Sequence, residues 1–397
     1  MNQFTTEIVD ALVKKQDITE VFRSHLEKAI NSLLVTELTS FLDYEKYDRI
    51  GFNSGHSRNG SYSRTLHTEY GDLNIEIPRD RNGEFKQQTI APYKRSNDTL
   101  ESTVIHLFQK GITMAEIANL IEKMYGHHYT PQTLSNMTKA VSETVEAFNH
   151  RQLQLHHRYV CVYLDATYIA IRRDTISKEA AYIAVGIRED GSKEVLAYTI
   201  APTESAYNWQ ELLEEIKGRG VEDVLLFISD GLKGMVDAIS SVFPKARYQT
   251  CLVHVARNIS HKVRVGDRQE ICDDFKKIHQ AEDAESGQAA LDAFCEKWKK
   301  TYSKVVKSLR ENDYLLTFYS FPKDIWRSIY STNLIESFNK KIKKYTKRKE
   351  QFPNEASLER FLVSQFEDYN QCFATRCHIG FNKARAEIEK MFEELES

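Results

Sequence analysis

The chain has 397 residues, 41% hydrophobic and 28% charged, with 54 Lys and Arg against 57 Asp and Glu for a net charge of −3. This describes a globular protein long enough for two or three domains of roughly 150 residues, and its overall balance lends no support to nucleic-acid binding. No apolar run approaches the ~18 residues that cross a bilayer, residues 1–7 lack the basic start and apolar stretch of a secretion signal, and six scattered cysteines form no CxxC pair, so a cytoplasmic, reducing location is predicted, with no membrane partner, disulfide framework or zinc ribbon.

The first 45 or so residues read as amphipathic helix, with Phe22, Leu26, Ile30, Leu33 and Leu34 on one face. The helical segment 1–50 is a candidate oligomer contact. A turn-prone stretch, Gly51 to Gly60, precedes a hairpin in which Thr65–Thr68 and Leu73–Ile77 flank Gly71-Asp72. Pro78 and Asn82-Gly83 are expected to end it, giving a hairpin-containing region over 51–100 with a possible DNA contact.

Residues 111–140 read as a helix-turn-helix within a segment 101–150. Met114, Ile117, Ala118 and Ile121 form one stripe, Tyr125-Gly126-His127-His128 the turn, and Thr130-Pro131 the cap of the second helix. Leu134, Met137 and Val141 would stripe that helix. Gln132, Thr133, Asn136 and Lys139 would then be exposed and able to touch base edges or phosphates. An antiparallel helix pair with no DNA contact would show the same pattern.

From Arg158 the period changes. Strand-like runs at 159–164, 180–187 and 194–200 precede a helix near 208–218, a strand at 223–229, a helix at 233–242, a strand at 247–252 and a helix at 254–264. Three successive strands followed by alternation predict an α/β fold with a mixed five-stranded sheet covered by helices. Ribonuclease H-like nucleases and integrases use that order. The core would begin at 151–265, be interrupted by an all-helical insertion over 266–326, and resume at 327–397 with a basic helix and tail. Trp298 in the insertion could stack on a base, although beside Phe294 and Tyr302 it reads as core.

Asp165 and Asp230 each close an apolar strand-like run, and Glu336 opens a helix. Carboxylates gathered at element ends can hold two divalent metals beside a phosphodiester. Each has an ordinary alternative: a strand-end turn for Asp165, an Asp-Gly turn for Asp230, and for Glu336 the third helical position of a capping box with Asn333 as N-cap. Their joint placement on first strand, fourth strand and post-sheet helix carries the weight. Seven Lys and Arg and no acid follow between Ser337 and Lys349. Lys340, Lys343 and Lys347 share the Glu336 face, and with Lys344, Arg348 and Lys349 they could grip a phosphate backbone. Cys251 and His254 resemble half a zinc site but have no second pair at finger spacing, so a packed or active-site-supporting pair is expected.

These residues resemble those of the bacterial Mutator-type insertion-sequence transposases, DDE enzymes with a ribonuclease H-like core. The match runs from about 30 to 360 through Arg58-Asn59-Gly60, Gly71-Asp72-Leu73, Ile77-Pro78-Arg79-Asp80-Arg81-Asn82-Gly83, Leu164-Asp165-Ala166 and Glu204-Ser205-Ala206. It continues through Asp230-Gly231-Leu232-Lys233-Gly234, Cys251-x-x-His254-x-x-Arg257-Asn258 and Thr332-Asn333-x-Ile335-Glu336-Ser337-x-Asn339. The resemblance implies that Asp165, Asp230 and Glu336 are the catalytic, metal-binding triad, that Cys251 and His254 are the family's paired cysteine and histidine, and that Lys343 is its basic residue seven beyond the glutamate. With Asn339 as a further supporting residue, it implies two Mg²⁺ ions (Mn²⁺ able to substitute). The implied partners are transposon-end DNA with terminal inverted repeats, target DNA and a second copy in a homodimer or higher oligomer, at the bacterial nucleoid. A domesticated DNA-binding regulator and a structure-specific nuclease are the alternatives. The tail after about 365 departs from the pattern, with no tryptophan and with Cys372, Cys377 and His378 in its place.

Overall fold

The computed structural model describes residues 3–14, 17–42, 44, 57–68, 70–87, 98–125, 130–138, 141–153, 157–173, 176–232 and 234–396. They form two compact units, Met1–Ala140 and Val141–Ser397.

The first unit holds α1 (Gln3–Val13), α2 (Ile18–Leu42), β1 (Arg58–Thr68), β2 (Gly71–Asp80), α3 (Asp98–Gln109), α4 (Met114–Tyr125) and α5 (Pro131–Met137). The N-terminal amphipathic run is thus two helices. Leu26, Ile30 and Leu34 of α2 pack on Leu73, Ile75 and Ile77 of β2, and Phe22 stacks on Tyr70 of the hairpin turn with ring centroids 5.6 Å apart, whereas Leu33 is exposed, off the face assigned to it. The hairpin is antiparallel and longer than expected, with Thr68 facing Gly71 and Pro78 lying inside β2 opposite Ser61. A two-stranded ribbon has two free edges, so Pro78 costs no required ladder bond there.

Thr130 caps α5, its hydroxyl accepting the Thr133 N–H at 3.1 Å with Pro131 in the first turn. Gln132, Thr133 and Asn136 are exposed. The helix ends at Met137, and Val141 opens the next helix in the second unit, so Val141 does not continue the α5 stripe. The turn at 126–129, Lys139 and most of the 51–60 stretch lie outside the described residues.

The second unit begins with α6 (Val141–His150), then β3 (Arg158–Arg172), β4 (Ile176–Ile187), β5 (Lys193–Ala201), α7 (Ala206–Gly218), β6 (Asp223–Ser229), α8 (Met235–Val242), β7 (Arg247–Thr250) and α9 (Leu252–Lys262). The sheet order is β5-β4-β3-β6-β7. β4 runs antiparallel to β3 and β5, and β6 and β7 run parallel to β3 and to each other. This is the mixed five-stranded arrangement expected from the sequence. Tyr159 to Leu164 are all buried because β3 is central and covered on both faces. Trp209 of α7 packs edge-on to Tyr182 of β4, ring centroids 4.7 Å apart.

From 268 to 329 the elements are helical: α10 (Arg268–His279), α11 (Ala284–Trp298), α12 (Ser303–Arg310) and α13 (Trp326–Ile329), with short 3₁₀ turns between the last two. Trp298 is core, buried with its indole N–H donating to Asp274 at 3.0 Å. Three helices close the chain, α14 (Asn333–Lys349), α15 (Glu355–Phe373) and α16 (Phe381–Glu396). Among the described residues no helix is long and apolar enough to cross a membrane.

Gly186 marks the tightest point of the sheet core. A Cβ there would sit 2.6 Å from the Tyr159 ring, which cannot easily retreat because its hydroxyl donates to Glu194 at 2.6 Å. Gly186→Ala should therefore lower the unfolding free energy by about 1–3 kcal/mol in urea denaturation. Gly218→Ala, at a position with open space around it, should be neutral or gain up to about 1 kcal/mol.

Candidate active site

The register of the two central parallel strands assembles the site. Tyr163 of β3 faces Ile228 of β6, so the same register carried two residues further brings Asp165 and Asp230 level. Asp165 does not end its strand: β3 runs on to Arg172, with Asp165 opposite Ile183 of β4. Asp230 does follow the last residue of β6, and Gly231 then takes φ +91°. Asp-Gly here is therefore a turn as well as a site, since a left-handed position favours glycine.

Helix α14 delivers the third acid. It packs against β3, and its Ile335, Phe338 and Ile342 are buried. Asn339 donates its amide N–H to Asp165 Oδ2 at 2.8 Å, and Ala166 N–H reaches Asp165 Oδ1 at 3.0 Å. Beyond the helix, Phe352 accepts from Arg172 N–H at 2.8 Å and donates to the Ala170 carbonyl at 3.0 Å. The middle of α14 and the residues just past its end are thereby tied to the strand carrying Asp165.

The capping-box reading of Glu336 does not hold. The N-cap is Thr332, not Asn333, and Glu336 is the fourth helical residue. Its carboxylate turns outward to Arg257 of α9, which grips both oxygens at 2.9 and 3.0 Å. His254 Nε2 lies 3.3 Å and Thr332 Oγ1 3.5 Å from Oε1, and Lys340 Nζ 4.0 Å from Oε2. Burial pushes the Glu336 carboxyl up, but Arg257, His254 and Lys340 together hold it below the usual carboxylate value.

Asp165 is in the opposite condition. Burial drives its carboxyl up to about 6, against the hydrogen bond from Asn339, and the charge of Asp230 adds to the rise. Among the described residues, no three His, Cys, Asp or Glu side chains stand close enough to hold one ion as they are.

Cys251, the N-cap residue of α9, is buried, and its Sγ accepts both the N–H and the hydroxyl of Thr332 at 3.2 Å. Leu252 N–H bonds the Tyr330 carbonyl at 2.9 Å. The two contacts fasten the start of α9 to the residues leading into α14. Burial raises the Cys251 thiol, but hydrogen bonds from His254 and Thr332 outweigh it and leave it below the ordinary thiol value. The same pairing with Cys251 raises His254. His254 thus touches Glu336 directly, and Cys251 reaches it only through Thr332.

Two residues quoted in the sequence motifs acquire roles that spacing alone did not assign. Arg257 lies one helical turn after His254, so both reach Glu336. Glu204, between β5 and α7, is half-buried, accepts Trp209 Nε1–H at 3.3 Å, and is raised by burial and then by the charge of Asp230. Lys340, Lys343, Lys344, Lys347 and Arg348 are exposed along α14. Lys349 departs from that face: it is half-buried over the Phe352 and Phe361 rings, at 5.3 and 5.2 Å, and burial pulls its ammonium down to about 7.

Residues 2–375 match the family model described as Transposase, Mutator family. The chain is 50% identical over 393 residues, 99% of its own length and all of the relative's, to the transposase for insertion sequence element IS905 of Lactococcus lactis. It is 49% identical over 370 residues, 93% of this chain and all of the relative, to the transposase for insertion sequence element IS1201 of Lactobacillus helveticus. A Drosophila P element transposase strand transfer complex is similar at 11% identity, covering 79% of this chain and 87% of that one, with a TM-score of 0.31. A family match across nearly the whole chain, together with relatives at half identity over their full length, makes this protein a member of the Mutator family of transposases.

Proposed function

We propose that the chain binds the ends of its insertion sequence and cuts and joins DNA at Asp165, Asp230 and Glu336. What supports this reading is the parallel pairing of β3 with β6 two residues before Asp165 and Asp230, the rise of Asp165 under the Asp230 charge, and the docking of α14 on Asp165 through Asn339. The donor set suits hard divalent cations: three carboxylates, with Asp165 raised by burial and by Asp230 for want of a counter-charge. Asp165, Asp230 and Glu336 would hold the ions. Bound there, two Mg²⁺ ions, or Mn²⁺ in their place, would supply Lewis-acid stabilisation of the attacking and departing oxygens of the phosphodiester.

The residues of the chain prepare that arrangement. Asn339 orients Asp165, and Cys251 with Thr332 anchors the helix that carries Glu336. Arg257 must release Glu336 before its oxygens can serve as ligands. Arg257 is 47% exposed, so the pair is worth on the order of 1 kcal/mol, little enough for a divalent ion to displace. Once free, its guanidinium can turn to a phosphate oxygen, a bidentate acceptor much like the carboxylate it leaves.

End recognition falls to the exposed side chains of α5, namely Gln132, Thr133 and Asn136, together with Lys139 and the β1–β2 hairpin. Lys340, Lys343, Lys344, Lys347 and Arg348 would hold backbone near the cut, with counterion release making the grip salt-dependent. Lys349 belongs to the packing of α14 instead. Joining two ends calls for a dimer or larger assembly, supported by the exposed Val9, Leu12 and Val13 of α1 and Val35 of α2.

Asp165→Asn, Asp230→Asn and Glu336→Gln should each abolish divalent-metal-dependent cleavage of an end duplex while leaving its binding intact. Cleavage retained by any one variant would remove that residue from the triad, and strand transfer from pre-nicked ends would separate a transposase from a simple nuclease. Arg257→Ala should bind Mn²⁺ about fivefold more tightly by calorimetry, as expected for removing a competitor worth on the order of 1 kcal/mol. Unchanged affinity would show that Arg257 does not compete for Glu336.

Asp165 also has a stability signature in metal-free protein. Its folded value, about 6, lies above the ordinary 3.8. Its contribution is therefore present at low pH and is lost as pH rises through about 6. Asp165→Asn should melt above wild type at pH 7.5 in chelator, with the difference shrinking as pH falls toward 4.5. A difference independent of pH would contradict the shift.

A further inference from the structure

An apolar cleft of about 350 Å³ opens between α9 and α10, beside the catalytic carboxylate. Val253, Ala256 and Ser260 of α9 form one wall, and Phe275 and His279 of α10 with Tyr330 form the other. Its rim carries Arg257 and Lys276, and none of its lining residues is acidic. Arg257 is the residue that grips Glu336, so the mouth of the cleft and the third catalytic acid share one side chain.

The chemistry of the walls is selective. The His279 and Tyr330 rings lie 4.9 Å apart and inclined at 49°, and Phe275 stands 6.4 Å from His279. His279 Nδ1 is buried and has no hydrogen-bond partner. Burial, then the charge of Lys276, keeps that imidazole neutral near pH 7, and a neutral ring can donate or accept. A planar heteroaromatic ligand fits such walls, because it regains stacking on their rings. A cationic rim beside a phosphodiester-cutting site says what such a ligand is attached to.

We infer that this cleft receives an unstacked nucleobase of the end DNA, from a nucleotide adjoining the phosphodiester held at Asp165, Asp230 and Glu336. The inference rests on the proposed function and goes beyond it by giving the end a base-specific anchor outside the triad. The base leaves the helix stack and regains stacking on Tyr330 and His279, and Lys276 faces the phosphate behind it. Pulling one base aside also draws the neighbouring phosphodiester out of the duplex, toward carboxylates seated at the floor of the strands.

The test uses full-length protein in chelator and end duplexes carrying 2-aminopurine at each of the three positions on either side of the cut. One position should change its emission on binding. A duplex abasic at that position should bind roughly tenfold more weakly than the intact one. Ser260→Trp, which fills the cleft, should abolish both the emission change and the preference for the intact duplex. His279→Ala, which removes one wall without adding bulk, should reduce that preference and controls for misfolding of the larger substitution. Tight end binding with no localised emission change, or a preference that survives Ser260→Trp, would overturn the cleft assignment alone. Failure of wild-type protein to bind any end duplex would instead overturn the proposed function.

Discussion

Asp165 on β3 and Asp230, just past the end of the adjacent parallel strand β6, carry like charges that repel one another. Asp165 sits mid-strand in the centre of the sheet, where water cannot screen it fully and burial already opposes its charge. Asp230 adds a second negative charge from the end of β6. A fold holding such a pair spends stability at that point, and it is a feature to expect where a site must attract cations rather than where a sheet merely turns.

The third carboxylate is handled in the opposite way. Glu336 is surrounded by Arg257, His254 and Lys340, so it stays ionised and neutralised. The contrast divides the site into an electrostatically hungry half on the sheet and a satisfied half on α14. Arg257 is the movable part of the satisfied half, being the exposed member of the pair, while Glu336 is 11% exposed and fixed by its helix. The apolar cleft beside Arg257 lies between α9 and α10, so α9 borders both the Glu336 ion pair and the cleft.

Rigidity for this arrangement comes from outside the triad. Cys251 joins the start of α9 to Thr332, Asn339 joins α14 to Asp165, and Phe352 joins the end of α14 to the far end of β3. Each bond is modest, about 1 kcal/mol net. Together they fix a helix at several points along its length, and that limits how far Glu336 can drift from the strands. Burial of Phe338 against Tyr369 and Phe366, at 4.5 and 5.9 Å, backs the helix with α15.

By itself the sequence determined the order and type of most elements, because periodicity reports burial directly: the apolar runs of β3 and β6, the stripe of α4, the caps at Thr130 and the charged helix after Glu336. Where it misled, the reason was local. The strand β3 was expected to stop at Asp165, since the continuous apolar run stops there, yet Thr167, Ile169 and Ile171 keep an alternating buried face and β4 extends to pair with it. Lys349 reads as one more cation in a basic run, and only the rings of Phe352 and Phe361 turn it inward. The tertiary structure alone decided that Arg257 closes on Glu336, 79 residues away, and that α9 and α10 leave an aromatic cleft beside it. Such contacts follow from how separate elements dock, and docking depends on packing across the whole unit rather than on any window of sequence.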